Sequence, residues 1–235
     1  MKSDMYSKFA HEYDQATADN LYNAHFERPI SQSLLGDVTQ LNVLDLGCGP
    51  GAYTKYLIDK GAKAITCIDY ASEMVELVST KFGQRITAYQ QDLSIGLPKE
   101  QQHSFDAVIC PLVIHYIKDL HPLFKDIARV LKPGGKFVFS THHPFADFES
   151  TKTHNYFDTE LIEQQWNTIG QPVAVRFYRR PLQAIFDAIS ESGLVVAKIS
   201  EGQAKQQQQQ VFGERYDYLS KNTNFLFIKC LKLAV

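Results

Sequence analysis

The chain has 235 residues, 44% of them hydrophobic and 21% charged, a composition that supports a packed core without disulfide or metal staples. Its 24 Lys and Arg stand against 26 Asp and Glu, a formal net charge of −2, so no basic excess is present to neutralise a nucleic-acid backbone. No apolar run reaches the ~20 residues that cross a bilayer, and the opening MKSDMYSKFAHEYDQ lacks the apolar stretch of a secretory leader, so a cytoplasmic location with no membrane partner is expected.

Residues 1–40 read as a helical cap lying outside any sheet. Asn42–Leu46 (NVLDL) is predicted as the first strand, running into Gly47-Cys48-Gly49-Pro50-Gly51. A short helix over 53–60, stopped by Gly61, leads to a second strand at Ala64–Asp69. Ser72–Phe82 follows as a helix with Met74, Val75 and Val78 on one face and Ser72 or Asp69 as its cap. A third strand is predicted over 85–90 and a fourth over 105–110; a helix over 120–131 ends at Pro133-Gly134-Gly135, before a fifth strand over 136–140. This alternation is that of successive βαβ units.

The segment over 141–181 interrupts the pattern with aromatics and histidines, and within it VAVRFYRRP alternates like a strand that stops before Pro181. A helix over 182–192, closed by Gly193, then precedes a strand at Leu194–Ser200 and a last one over 224–231. The connection between these two reads as a loop, which leaves them free to pair antiparallel; in it Gln206 to Gln210 reads as an exposed polar insertion. One α/β domain over 1–235 is expected. Its sheet is doubly wound, seven-stranded and mostly parallel with the last strand antiparallel; 1–40 caps it and 141–181 is a lid.

Cys48, Cys67, Cys110 and Cys230 form no C-x-x-C pair and have no His or Cys at zinc spacing. They read as buried free thiols in a reducing compartment, and no metal is expected.

The glycine turn after the first strand brings backbone close to a ligand, at the unpaired N–H groups that open a helix. Gly47-x-Gly49-x-x-Ala52, with Asp69 about 20 residues on, also satisfies the dinucleotide fingerprint. Three features favour another ligand. Asp45, two residues before Gly47, suits a positive amino group and repels a pyrophosphate. Pro50 removes a backbone donor, and Asp92 in QQDLS can accept from the exocyclic amine of an adenine.

VLDLGCGPG, ITCIDYASEMVE, YQQDLSIGLP, FDAVICPLVIHYI and LKPGGKFVFS, in this order over residues 43–140, resemble the successive motifs of class I S-adenosylmethionine-dependent methyltransferases. YSKFAHEYD resembles that family's N-terminal helix, whose aromatics cover the cofactor. The resemblance implies a Rossmann-like sheet, S-adenosyl-L-methionine as cofactor and S-adenosyl-L-homocysteine as product. It implies that Asp45, Gly47, Cys48 and Gly49 surround the methionine part and that Asp69 holds the ribose hydroxyls. Tyr70 and Met74 would flank the adenine, Asp92 and Leu93 meet its amine edge, the Cys110 and Pro111 backbone receive the amino group, and Tyr13 close over the methionine end.

Candidates for the chemistry are His115 and Tyr116 after the fourth strand and His142 and His143 after the fifth, because ligands of open α/β sheets gather at these strand ends. Histidine, with a pKa near ~6.5, is suited to moving a proton at neutral pH. Arg176, Tyr178 and Arg179 are candidates for contacting an acceptor. Cys110-Pro111-Leu112-Val113 stands where the nucleotide and glutamine N-methylating members carry an acidic-aromatic Pro-Pro motif. The resulting expectation is direct SN2 transfer to an O, N or C atom of a small molecule, by a monomer or homodimer without a nucleic-acid partner. A non-catalytic S-adenosylmethionine-binding regulatory or partner protein is the competing reading, separated from it by a methylation assay that follows homocysteine release.

Overall fold

Short apolar runs that are buried on both faces can satisfy their backbone groups only beside one another. In the computed structural model, which describes residues 3–234, they do so in one seven-stranded sheet. The strands in chain order are β1 (Asn42–Leu46), β2 (Ala64–Asp69), β3 (Thr87–Gln90), β4 (Phe105–Pro111) and β5 (Leu131–His142), then a separate hairpin of β6 (Glu160–Trp166) and β7 (Val173–Arg179), then β8 (Leu194–Ser200) and β9 (Phe225–Lys232). The spatial order is β3-β2-β1-β4-β5-β9-β8. β1 to β5 are parallel, and β9 runs antiparallel to both neighbours. The winding reverses between β1 and β4, so the crevice of a doubly wound sheet lies at their carboxyl ends.

Successive residues of a strand face opposite sides, and each side has its own core. Val43, Ile65, Cys67, Ile109 and Val138 pack with α2 (Arg28–Leu35), α3 (Ala52–Asp59) and α4 (Ser72–Phe82). Leu44, Ile68, Val108, Phe137 and Ile228 pack with α5 (His121–Val130) and α6 (Leu182–Glu191). A smaller third core joins the hairpin, through Ile162, Val173, Val175 and Phe177, to Met5 and the aromatics Tyr6, Phe9 and Tyr13 around α1 (Ala10–Ala18). The N-terminal segment and the hairpin thus meet above the strand ends.

Several local expectations change. The cap contains a π-helix at Leu21–Glu27, begun by Asn20, whose side chain accepts from the Asn23 and Ala24 amides. α4 has Ala71 at its N-cap and no side-chain cap bond: the Asp69 carboxylate accepts from Ala71 N at 2.8 Å, ahead of the helix, while Ser72 lies inside the helix and bonds Glu73. β3 starts at Thr87 because Gly83–Arg85 forms a 3-10 turn. β5 runs from Leu131 to His142, longer than the expected 136–140, and pairs His142 with Phe225. β7 runs as the alternation predicts, and Glu160–Trp166 is its unforeseen partner. The segment read as a loop between the last two strands is largely helical. It holds a 3-10 turn at Gln206–Gln208, then α7 (Gln209–Phe212), a turn at Gly213–Arg215 and α8 (Tyr216–Lys221). Phe212 and Leu219 are buried beneath it, which a solvated insertion does not need. All four cysteines are free and buried. The expected cap over 1–40 and domain over 1–235 extend by residues 1, 2 and 235 outside the described residues.

Candidate functional site

A cleft of about 180 Å³ opens where β1, β2, β3 and β4 end. Its first wall is the glycine turn. Gly47 and Gly49 hold φ of 66° and 52°, the left-handed region that L side chains avoid. A Cβ at Gly47 would stand 2.2 Å from Val113 Cγ2, so only glycine lets the turn after β4 pass this closely. The Gly47 and Cys48 amides both donate to Ile68 O, at 2.7 and 3.1 Å, which ties the turn to β2.

Asp69, at the end of β2, is buried and accepts from Gly49 N at 2.9 Å and Ala71 N at 2.8 Å. Burial raises its pKa above the usual carboxylate value, an effect the backbone donors oppose. Each of its oxygens keeps a lone pair beyond these bonds. Met74 is buried beside Ala71, whereas Tyr70 is 41% exposed at the rim. Asp92 is exposed and caps the turn at Leu93–Ile95 by accepting from Ser94 N; Leu93 is buried.

Eleven of the predicted residues line this single cleft: Tyr13, Gly47, Cys48, Gly49, Asp69, Tyr70, Met74, Asp92, Leu93, Pro111 and Tyr116. Asp45 and Cys110 lie behind its wall, both fully buried. One Asp45 oxygen accepts from Thr54 Oγ1 at 2.9 Å and the other, Oδ1, has no partner. Burial lifts the Asp45 pKa to about 7 and raises the Cys110 thiol as well.

The three histidines do not line the cleft. His115 is packed under Tyr116 and stacks on His142 at 4.1 Å, and burial drives its pKa well below the usual value, so it is neutral. His142 bonds Asp147 at 3.1 Å among Trp166, Phe177 and Phe225. His143 bonds Glu201 at 3.0 Å and accepts from Phe145 N. Arg176 points to solvent, paired with Glu163. Arg179 is buried and donates to the carbonyls of Pro144, Tyr156 and Asp158, so it braces the lid; Tyr178 lies beside it in a separate small cavity. Among the described residues, no group of three His, Cys, Asp or Glu is placed to hold a metal ion.

Sequence reading named Tyr13 and Tyr116 of the other wall but not Tyr6, which meets them there with its hydroxyl 2.6 Å from that of Tyr116 and its ring edge-on to both partners. Burial lifts all three phenols, that of Tyr13 to about 12, so they stay protonated at neutral pH. Tyr6 ends a 3-10 turn at Asp4–Tyr6 while Tyr13 lies in α1, so no single helical periodicity links them. Glu27 and Arg28 complete the wall, and Arg28 joins α2 to the end of α1 by donating to Thr17 O at 2.8 Å and Ala18 O at 3.3 Å.

Residues 44–139 match the sequence model of a family described as a methyltransferase domain. The chain is 34% identical over 112 residues to a ubiquinone biosynthesis O-methyltransferase of Xanthomonas oryzae pv. oryzae, covering 45% of this chain and 44% of that protein. It is 29% identical over 148 residues to a demethylmenaquinone methyltransferase of Lactococcus lactis subsp. lactis, covering 60% and 58%. The chain therefore spans about half the length of the curated relatives it matches. Among solved structures, an S-adenosylmethionine-dependent methyltransferase from Mesorhizobium loti superposes with a TM-score of 0.71 at 24% identity, over 87% of this chain and 97% of that one.

Proposed function

We propose that this chain is a class I S-adenosylmethionine-dependent methyltransferase and that it transfers a methyl group to an O, N or C atom of a small-molecule acceptor. The observation that carries the reading is the convergence on one cleft of the glycine turn, Asp69, Met74, Asp92 and Leu93, drawn from the ends of three adjacent strands.

The residues present fit the cofactor. The open face at Gly49, where a Cβ would meet nothing within 4 Å, admits close backbone approach, and the unpartnered Asp45 oxygen behind the wall suits a positive amino group. S-adenosylmethionine supplies, when bound, a methyl group activated by a positively charged sulfur. Gly47, Cys48 and Gly49 would hold its amino-acid part, with Asp45 and the backbone at Cys110 and Pro111. Asp69 would accept from the ribose hydroxyls in charge-assisted bonds, and Tyr70, Met74, Asp92 and Leu93 would hold the adenine.

The chain's contribution to the chemistry is alignment and exclusion of water. Tyr6, Tyr13 and Tyr116 form an aromatic wall that suits an apolar or aromatic acceptor, in keeping with two relatives named for quinone pathways. Of the four residues considered for the chemistry, Tyr116 is the one at the cleft; its protonated hydroxyl can donate to an acceptor oxygen. His115, His142 and His143 brace the strand ends behind it. Residues 3–40 and 141–181 act in this reading as cap and lid of one domain, working in the cytoplasm as a monomer or homodimer on a small molecule and not on nucleic acid. The Arg176, Tyr178 and Arg179 strand supports the lid.

Asp69→Ala tests the assignment. Calorimetry with S-adenosylmethionine should show affinity lowered more than tenfold, about 1.4 kcal/mol or more. Unchanged affinity would contradict the ribose role, and uptake of a nicotinamide dinucleotide in its place would overturn the whole reading.

A further inference from the structure

A buried carboxylate is costly unless its oxygens are well supplied with donors. Glu27 is 2% exposed, and three hydroxyls from three different elements surround it. Ser31 Oγ of α2 donates to its Oε1 at 2.6 Å, Ser140 Oγ of β5 donates to the same oxygen at 2.7 Å, and Tyr53 Oη of α3 donates to Oε2 at 2.8 Å. None of these partners is close to Glu27 in sequence except Ser31. The carboxylate thus joins the cap, the helix that opens from the glycine turn, and the strand beside β4.

The Ser140 bond leads further. Leu112 N donates to Ser140 Oγ at 3.1 Å and to Ser140 O at 3.0 Å. Leu112 is not a glycine, yet it holds φ of 54°, a conformation that local energetics disfavour and that its surroundings must impose. It sits in Pro111-Leu112-Val113, which forms the cleft floor, and Val113 is the residue against which Gly47 is packed without room for a Cβ. A shift of this turn would reach the glycine turn directly.

We propose that Glu27 is a positioning residue for the cofactor cleft, holding the Pro111-Leu112-Val113 floor in its left-handed form from the cap, through Ser140. The proposal rests on the reading that this cleft takes S-adenosylmethionine. Its consequence is that the cap, besides covering the cleft, sets the shape of the floor on the opposite side.

The test uses the full chain, with S-adenosylhomocysteine as the calorimetric probe and the ligand-free melting temperature as the measure of stability. Ser140→Ala should weaken binding at least threefold and Glu27→Gln at least fivefold. Because both act through one link, the double variant should be no more than about twofold weaker than the worse single. Ser31→Ala, which removes a donor on the cap side of the same carboxylate, should lower the melting temperature yet keep affinity within twofold. Multiplicative effects of Glu27→Gln and Ser140→Ala, or losses no larger than that of Ser31→Ala, would overturn the positioning role and leave the methyltransferase reading intact. If Glu27→Gln does not fold, full affinity in Ser140→Ala overturns it alone. If the unaltered protein takes up no S-adenosylhomocysteine, the cofactor reading fails and this inference with it.

Discussion

Asp45 shows how a single side chain sets stability against binding. Its carboxyl is fully buried with one oxygen unpartnered, and its pKa is lifted to about 7 from the ~3.9 of an exposed aspartate. The folded chain therefore binds more protons than the unfolded chain between about pH 4 and 7, so ligand-free stability falls as pH rises through that window and is level above it. Asp45→Asn removes the ionisation. Its melting temperature should exceed that of the parent by a margin that grows from pH 4 to 7. At pH 8 the same variant should bind S-adenosylmethionine more weakly, since the oxygen proposed to face the cofactor's amino group is replaced or reoriented. Melts across this range and calorimetry at pH 8 check both halves; undiminished affinity at pH 8 would remove Asp45 from the binding site. Glu27 is the contrasting case, a buried carboxylate with three donors, and no local pattern in the sequence announces it, because its partners are 26 and 113 residues away as well as four.

Elements were legible where the forces are local. β1, β2, β4 and the latter half of β5 could be read because each is a short apolar run between turn signals, and the residues closing or following β2 and β3 include Asp69 and Asp92, which line the cleft. The π-helix at Leu21–Glu27 has the same composition as an α-helix and differs only in hydrogen-bond spacing, so periodicity does not reveal it. β6 was hidden because its residues Glu160, Glu163, Gln164 and Gln165 are polar; only register against β7 makes it a strand. The histidines stand away from the cleft for a related reason. Strand-end position made them candidates, but the hairpin buries that side of the sheet and turns His115 and His142 into packing groups around Phe177. Phe177→Ala should cost about 3–5 kcal/mol of stability in this third core. Hydrogen exchange should accelerate in β6, β7 and the Tyr6 segment ahead of the main sheet; uniform acceleration would mean that the hairpin and sheet unfold as one.

At the scale of the molecule, the cap is held from two sides. Arg28 ties α2 to α1, and Phe26 of the π-helix packs edge-on against Phe212 of α7 at 5.7 Å. The helical connection between β8 and β9 is therefore a support for the cap, and its glutamines are the outer face of that support. Replacing Gln206, Gln207, Gln209 and Gln210 by Ala should leave cofactor affinity within twofold, whereas Phe212→Ala should lower both melting temperature and affinity. Calorimetry on the two variants separates the roles; a large loss from the glutamine replacement would make the tract part of the site.

The antiparallel strand has an effect in time as well as in space. β9 is synthesised after β8 yet lies between it and β5. Until β9 pairs, β5, twelve residues long, and β8 each present an open edge. Such edges recruit strands from other chains. β9 works as a seal, closing both edges at once as it slots between them.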